Sequence, residues 1–173
     1  KVIAIGTRAG YYTTSDSNVY VGSSAGRENR TGIGQVYIGA QAGYYTTGSY
    51  NTFVGQDAGL GGQTTAPFSS GQNNTAVGYQ ALKAFTTGYN NVMVGNYTGD
   101  AITTGESNTA LGYAALSAED TGTRNVAIGN EALKVLNYDG AGYNVAVGHR
   151  AGYALTTGTV NTFIGAFAGG ATD

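Results

Sequence analysis

Short apolar runs recur along the chain at nearly constant intervals, and each run ends in a glycine. A typical run places three apolar or threonine residues between an amide and the glycine, as in Asn91–Gly95. The closing glycines are Gly6, Gly22, Gly39, Gly55, Gly78, Gly95, Gly112, Gly129, Gly148 and Gly165, with the longest interval before Gly78. A short, regular period of this kind indicates an array in which each unit packs mainly on its neighbours.

Two further positions are fixed relative to these glycines. An amide stands four positions before every glycine from the second onward, at Asn18, Gln35, Asn51, Asn74, Asn91, Asn108, Asn125, Asn144 and Asn161. Alanine stands three positions after nine of the ten glycines, and Thr98 replaces it once. The repeat varies in length only between this position and the next amide, in a return segment whose clearest form is Thr-Thr-Gly. We therefore expect stacked amides that satisfy buried backbone groups, and insertions confined to the return segment.

Both faces of each run are apolar. The residue before the glycine and the one two positions earlier are Val, Ile, Leu or Thr, and they share one face of an extended strand. The residue between them points to the other face and is Ala, Tyr, Phe or Met. The repeat is too short for a pair of helices, and the apolar positions show no helical period. The pattern predicts an all-β fold: a parallel β-solenoid or β-roll of about ten coils, forming one repeat domain over residues 1–173.

A coil of this length encloses little core, so one apolar face needs an external cover. We expect three identical chains to supply it as a homotrimer. The expected interface is the middle column of the strands, which continues from Ala4 through Tyr20, Tyr37, Phe53, Ala76, Met93, Ala110, Ala127, Ala146 and Phe163. The trimer axis would then be wide at the aromatic residues and narrow at the alanines.

Composition and charge exclude several classes of protein. Thirty glycines with one proline exclude collagen, and 41% hydrophobic with only 10% charged residues is the reverse of disorder. A net charge of −2 argues against nucleic-acid or anionic-membrane partners. No apolar stretch predicts membrane insertion, and the start of the chain lacks the pattern of a signal peptide. We interpret the chain as a segment of a longer polypeptide.

The sequence offers little for catalysis, so we expect no enzyme, no cofactor and no metal site. Absence of cysteine removes disulfides, Cys-based zinc sites and thiol nucleophiles. His149 is the single histidine and follows a closing glycine, where a corner residue is the simplest interpretation. Three copies of His149 around a trimer axis would be the one alternative for ion binding. The acidic residues are scattered, with no paired carboxylates at hydrolase spacing.

Two insertions and a set of aromatic residues are the candidates for recognition. The longer insertion lies between Gly59 and Asn74, and the second, shorter one lies around Leu136–Gly142. Loops on a rigid scaffold commonly carry binding groups. The predicted binding residues are Tyr11, Tyr12, Tyr44, Tyr45, Phe68, Tyr138 and Tyr153, suited to a cell-surface glycan or protein receptor. Alternatively, these rings cover neighbouring coils and the insertions are merely tolerated.

The repeat also resembles known fibrous proteins. Asn74–Leu82, Asn108–Leu116 and Asn125–Leu133 resemble the repeats of bacteriophage tail fibres, and they are similar to the Asn-Ser-Val-Ala-Ile-Gly motif in the heads of trimeric autotransporter adhesins. The resemblance implies a left-handed trimeric β-roll in a virion tail fibre, a segment that spaces or contributes to recognition of the bacterial host surface. The alternative is an adhesin head on the bacterial cell surface. The longer repeat with Thr-Thr-Gly and tyrosine favours the phage type.

A third hypothesis is ice binding, since stacked threonine pairs would form a regular array. The pairs are interrupted at Arg30-Thr31, Ser69-Ser70, Asp120-Thr121 and Tyr138-Asp139, which weakens this hypothesis.

Overall fold

A computed structural model describes residues 1–170; residues 171–173, the last of the predicted repeat domain, lie outside the described part. The strands are β1 (Val2–Ile5), β2 (Asn18–Val21), β3 (Val36–Ile38), β4 (Thr52–Val54), β5 (Thr75–Val77), β6 (Val92–Val94), β7 (Thr109–Leu111), β8 (Val126–Ile128), β9 (Val145–Val147) and β10 (Thr162–Ile164). They form one sheet in chain order, and every neighbouring pair is parallel. Each repeat is therefore one coil of a β-solenoid, which confirms the predicted fold class.

The closing glycine of each coil forms a corner that only glycine can adopt. All ten have φ between +117° and +137°, a region that L-residues essentially never occupy. At Gly95, a Cβ atom would also lie 2.4 Å from the carbonyl oxygen of Gly112 in the next coil. Non-glycine residues with positive φ lie between +48° and +64° and are of many types, such as Gln80 and Asn90. The corner glycine is thus constant for both conformational and steric reasons.

The predicted amide ladder is confirmed. The side-chain oxygen of Asn108 accepts a hydrogen bond from the backbone N–H of Asn125 (3.0 Å), and its amide nitrogen donates to the carbonyl of Gly122 (2.8 Å). The oxygen contact to the next coil repeats at every amide from Asn18 to Asn144. The ladder amides from Asn18 to Asn144 are all buried. The ladder therefore pairs buried backbone groups where the return segment meets the strand.

The predicted trimer interface is wrong in its choice of face. Eight middle-column residues are fully buried inside their own coils: Tyr20, Tyr37, Phe53, Ala76, Met93, Ala110, Ala127 and Ala146. Phe163 in the last coil is partly buried against the same core. These side chains cannot face an axis between subunits, because the opposite wall of the coil covers them. The two flanking positions of each strand point outward instead.

The middle column fits inside because the residue six positions later compensates for its size. Tyr37 is paired with Gly43, where an added Cβ would lie 2.3 Å from the Tyr37 ring, and Phe53 is paired in the same way with Gly59. Three alanines of the column are followed six positions later by a buried leucine: Ala76 by Leu82, Ala110 by Leu116 and Ala127 by Leu133. Ala146 is followed by Gly152 instead, and Leu133 and Phe163 of the neighbouring coils fill that space. Each coil with a complementary pair thus holds one large side chain between its two walls, at the close packing expected of a core.

This compensation predicts a measurable coupling between Ala110 and Leu116. Leu116→Gly alone should destabilise by about 3 kcal/mol through a cavity, and Ala110→Met alone by about 1–3 kcal/mol through overpacking. The double variant reproduces the Met93 and Gly99 pair of the preceding coil. Urea unfolding should show it at least about 1 kcal/mol more stable than the sum of the single effects. Strictly additive losses would mean that the two side chains do not share one space.

Candidate interaction surfaces

The outward side of the sheet is a continuous apolar surface, here called the sheet face. One row is Ile3, Val19, Val36, Thr52, Thr75, Val92, Thr109, Val126, Val145 and Thr162; the other is Ile5, Val21, Ile38, Val54, Val77, Val94, Leu111, Ile128, Val147 and Ile164. Neither row contains a charged residue. All twenty side chains are partly or largely exposed, including Leu111 at 49%. The apolar pattern correctly placed these two rows on one face of the strands, but that face was predicted to point into the interior of the coil.

The size of the sheet face suits an interaction surface. Ten strands about 4.8 Å apart extend it over roughly 45 Å, and two rows about 7 Å apart give an area of roughly 300 Å². The largest apolar patch on a typical monomer is about 300–600 Å² and is often functional. Parallel sheets, moreover, occur almost only with both faces covered. A second chain is the simplest cover, because the face is as regular as the repeat.

Five of the predicted binding residues lie together near the longer insertion. Tyr44 packs on Tyr45 with ring centroids 4.3 Å apart, and Tyr45 stacks on Phe68 at 6.0 Å. The edge of Tyr11 meets Tyr12 at 4.8 Å. Phe68 comes from the insertion, whereas the tyrosines come from the first and third coils. The insertion is thus packed against the body of the solenoid.

Two arginines occupy the space between these rings. The Arg27 guanidinium lies between the rings of Tyr12 (5.4 Å) and Tyr44 (5.3 Å), and Arg30 lies over Tyr12 (5.0 Å) and Phe68 (5.7 Å). The buried carboxylate of Glu28 is 3.3 Å from both arginines. Cation–π contacts and a paired carboxylate stabilise the arrangement internally. This geometry matches the alternative that the rings cover neighbouring coils; receptor binding by them stays a prediction.

The other two predicted binding residues lie elsewhere. The ring of Tyr153 is covered by Arg150 at 5.1 Å, and Glu131 binds both Arg150 (2.6 Å) and Lys134 (2.5 Å). Tyr138, within the second insertion, packs partly against the core. It borders a cleft of about 480 Å³, which is lined by Asp120, Asn137, Tyr138, Asp139 and Thr157.

A ladder of three tyrosines, two of them exposed and one half-buried, was not predicted from the sequence. The rings of Tyr79, Tyr97 and Tyr113 meet edge to face, with centroids 5.3 and 5.9 Å apart. Each follows its corner glycine by one or two positions in three consecutive coils. The recurrence of tyrosine within two positions of the corner glycine in three consecutive coils is the signal that could have found them. The ladder borders the corner at which the sheet face ends.

The longer insertion also leaves an open cleft on the return side, here called the return cleft. It has a volume of about 230 Å³ and is lined by Ser70, Gly71, Gln72, Asn73, Thr87 and Tyr89. None of these residues was among the predicted binding residues. The spacing of the repeat does not show how the side chains of an insertion are placed against the neighbouring coil.

Some threonine hydroxyls of the return segment form hydrogen bonds to the backbone of the next coil. Thr86 donates to the carbonyl of Thr103 (3.1 Å), and Thr103 donates to the carbonyl of Asp120 (3.2 Å), each in the next coil. The second threonine is exposed at Thr87 and Thr104, whereas Thr47 is half-buried and donates to the carbonyl of Ser69 (3.3 Å). Part of the expected threonine array is therefore committed to stacking the coils.

One buried carboxyl predicts a pH dependence of stability. Glu119 occupies a core position and accepts hydrogen bonds from the backbone N–H groups of Gly122 (2.8 Å) and Tyr138 (3.4 Å). Burial raises the pKa of Glu119, and these backbone bonds only partly oppose it. The contribution of Glu119 to the folding free energy is fully present below the pKa that this carboxyl has in the unfolded chain. It is lost as the pH rises through the higher pKa of the folded protein.

The Glu119→Gln variant tests this. Urea unfolding at pH 4 and pH 7 should show that the variant gains stability relative to the wild type at the higher pH. Burial also raises the pKa of Asp100, but Asp100 is present in both proteins and cancels in the comparison. An equal difference at both pH values would show that Glu119 is not the responsible group.

Residues that could hold a metal ion are not brought together in the described part of the chain. His149 is exposed at a corner, and its ring meets the edge of Phe167 at 5.0 Å. Among residues 1–170, no group of three or more His, Asp or Glu side chains is placed to bind an ion. Within the same range, no helix is long and apolar enough to cross a membrane.

The sheet face and the return cleft are thus two surfaces that the fold leaves open for interactions. No family model matches the chain, and comparisons with curated proteins and with solved structures give no significant match.

Proposed function

We propose that this chain is a structural and attachment segment of a trimeric fibre of the bacteriophage tail-fibre type. In the virion it would space the fibre and contribute to recognition of the bacterial host surface. The observation that carries the proposal is the sheet face: two uncharged rows of Val, Ile, Leu and Thr that a single chain leaves in contact with water.

Three chains would cover the sheet face around a common axis that runs along the solenoid. Every coil would then contribute to a core between subunits, in addition to the core inside each chain. Burial of apolar area is the main favourable term in association, and obligate interfaces are the more apolar ones. The resemblance of the repeats to trimeric fibres supports three chains rather than two.

The stacking of the coils supports a role as a spacer. Each coil is joined to the next by strand pairing, by the amide ladder and by threonine hydroxyls that donate to backbone carbonyls. These contacts are nearest-neighbour contacts that repeat along the axis, as in other solenoids. A chain built in this way forms a stiff rod, which suits a segment that holds a recognition element away from the particle.

An adhesin head on a bacterial surface is the alternative, because it uses the same kind of rod. The complete reading frame separates the two: a membrane anchor in it would favour the adhesin, and neighbouring phage structural genes would favour the fibre. Ice binding is less well supported, since the first threonine of several pairs is hydrogen-bonded within the fold.

Electron microscopy of the purified protein tests the proposal. We expect rods of roughly 50 Å in length, as ten coils of about 4.8 Å imply. End-on class averages should show three solenoids around one axis, with their sheets facing inward. Class averages with separate single solenoids, or with the sheets facing outward, would contradict it.

A further inference from the structure

We propose that the return cleft binds one unit of a neutral saccharide. The proposal rests on the attachment role proposed above and gives it a ligand class and a location. The cleft is lined by Ser70, Gly71, Gln72, Asn73, Thr87 and Tyr89, beside the longer insertion.

The cleft lies where the insertion rejoins the solenoid, and hydrogen bonds of the kind that recur along the return side tie its backbone to the next coil. The backbone N–H groups of Ser70 (2.8 Å) and Gly71 (3.0 Å) both donate to the single carbonyl of Thr86. The N–H of Asn90 then donates to the carbonyl of Gln72 (3.1 Å). These bonds fix both ends of the cleft to the coil below. Its shape is therefore set by the backbone before any ligand arrives, which lowers the entropic cost of binding.

The side chains of the cleft match a polyol. Gln72 and Asn73 carry exposed amides, each with both donor and acceptor atoms, and Ser70 and Thr87 add exposed hydroxyls. Paired donors and acceptors are what neighbouring sugar hydroxyls require. The ring of Tyr89 is 43% exposed and offers an apolar surface for the C–H face of a pyranose.

The absence of charged side chains in the return cleft favours a neutral ligand. None of the side chains that line the cleft is charged. The cleft beside the second insertion differs, because Asp120 and Asp139 both line it. A sialylated or phosphorylated sugar would find no counter-charge among the lining residues of the return cleft. Its volume of about 230 Å³ is below the roughly 300–1,000 Å³ of sites for drug-sized ligands, so it suits one sugar unit.

The carboxylate of Glu106 is close enough to the phenol of Tyr89 to raise the pKa of Tyr89. Glu106 in turn lies 3.9 Å from the guanidinium of Arg124. The hydroxyl end of Tyr89 thus lies beside a charged pair of the same chain, while its ring stays exposed.

Ligand-observed NMR with the full chain tests the site. The neutral probes are methyl glycosides of glucose, galactose and N-acetylglucosamine, and the charged probes are sialic acid and glucose 6-phosphate. We expect millimolar binding of at least one neutral glycoside and weaker or no binding of the charged sugars. Absence of binding by every neutral probe at about 20 mM, or a preference for the charged sugars, would overturn the proposal.

Single substitutions test whether the sugar binds in the return cleft. Tyr89→Ala should weaken it at least about tenfold, Gln72→Ala severalfold, and Tyr89→Phe should keep most of it. Tyr113→Ala is the matched control, because Tyr113 has similar exposure (50%) and lies outside the cleft. Equal binding by Tyr89→Ala and the wild type would reject the site. Because these variants leave the sheet face intact, loss of sugar binding in a stable trimer would concern the cleft alone.

Discussion

Gly95→Ala should lower the free energy of unfolding by more than about 4 kcal/mol, among the largest effects of any single substitution in this chain. Gly95 has a φ of +136°, which alanine cannot adopt without strain. The added Cβ would also lie 2.4 Å from the carbonyl oxygen of Gly112. Because that oxygen belongs to the backbone of the next coil, relief requires two coils to separate. Urea unfolding followed by circular dichroism measures the loss.

Ser107→Ala is the control for this substitution. Ser107 also has a positive φ, +58°, but this value lies in the left-handed region that many residues of the chain occupy, and its side chain is exposed. We expect a change within about 0.5 kcal/mol, as for most surface substitutions. Similar losses at Gly95 and Ser107 would contradict the steric account of the corner.

Leu111→Lys should convert the proposed trimer into monomers without unfolding the solenoid. Leu111 is 49% exposed in the single chain, so lysine at this position costs the isolated solenoid little. In the trimer, three lysines would be brought close together in an apolar core between subunits. An unpaired charge removed from water costs several kcal/mol, and like charges add repulsion. The measured mass should fall to that of one chain while the circular dichroism spectrum is kept.

Thr104→Lys is the matched control. Thr104 is exposed in the return segment, away from the sheet face, and the substitution introduces the same charge. We expect this variant to keep the mass of the wild type. Dissociation by both variants would indicate a general charge effect, and dissociation by neither would place the interface elsewhere.

The sequence predicted the architecture well because the architecture depends on fixed spacings. The interval between closing glycines is the length of one coil, and each glycine does occur at a corner with a large positive φ. The offset from amide to glycine placed Asn91 and Asn108 in one ladder, which the hydrogen bonds confirm. Every strand lies in the run that was predicted to form it.

The orientation of the strands was predicted wrongly, because both faces of each run are apolar. Alternation alone cannot distinguish an inner from an outer face under that condition. The information was present in a pair of positions: a large residue such as Tyr37 is followed six residues later by glycine, whereas Ala110 is followed by leucine. Complementary sizes of this kind indicate two side chains that share one interior space.

The recognition surfaces could be predicted only in part. Tyr12, Tyr44 and Phe68 do lie together, but the arginines between their rings could not be anticipated from spacing. The return cleft depends on how the backbone of the insertion rejoins the next coil, which no periodic pattern encodes. Irregular segments on a regular scaffold are where sequence patterns lose their predictive value.

The mass of the wild-type protein in solution tests the central claim most directly. One chain has a mass of 17.5 kDa, and the trimer should have three times that mass. Sedimentation equilibrium should give the trimer mass over the whole range of protein concentration that is measured. A stable species with the mass of one chain, which would leave the sheet face in water, would contradict the trimer.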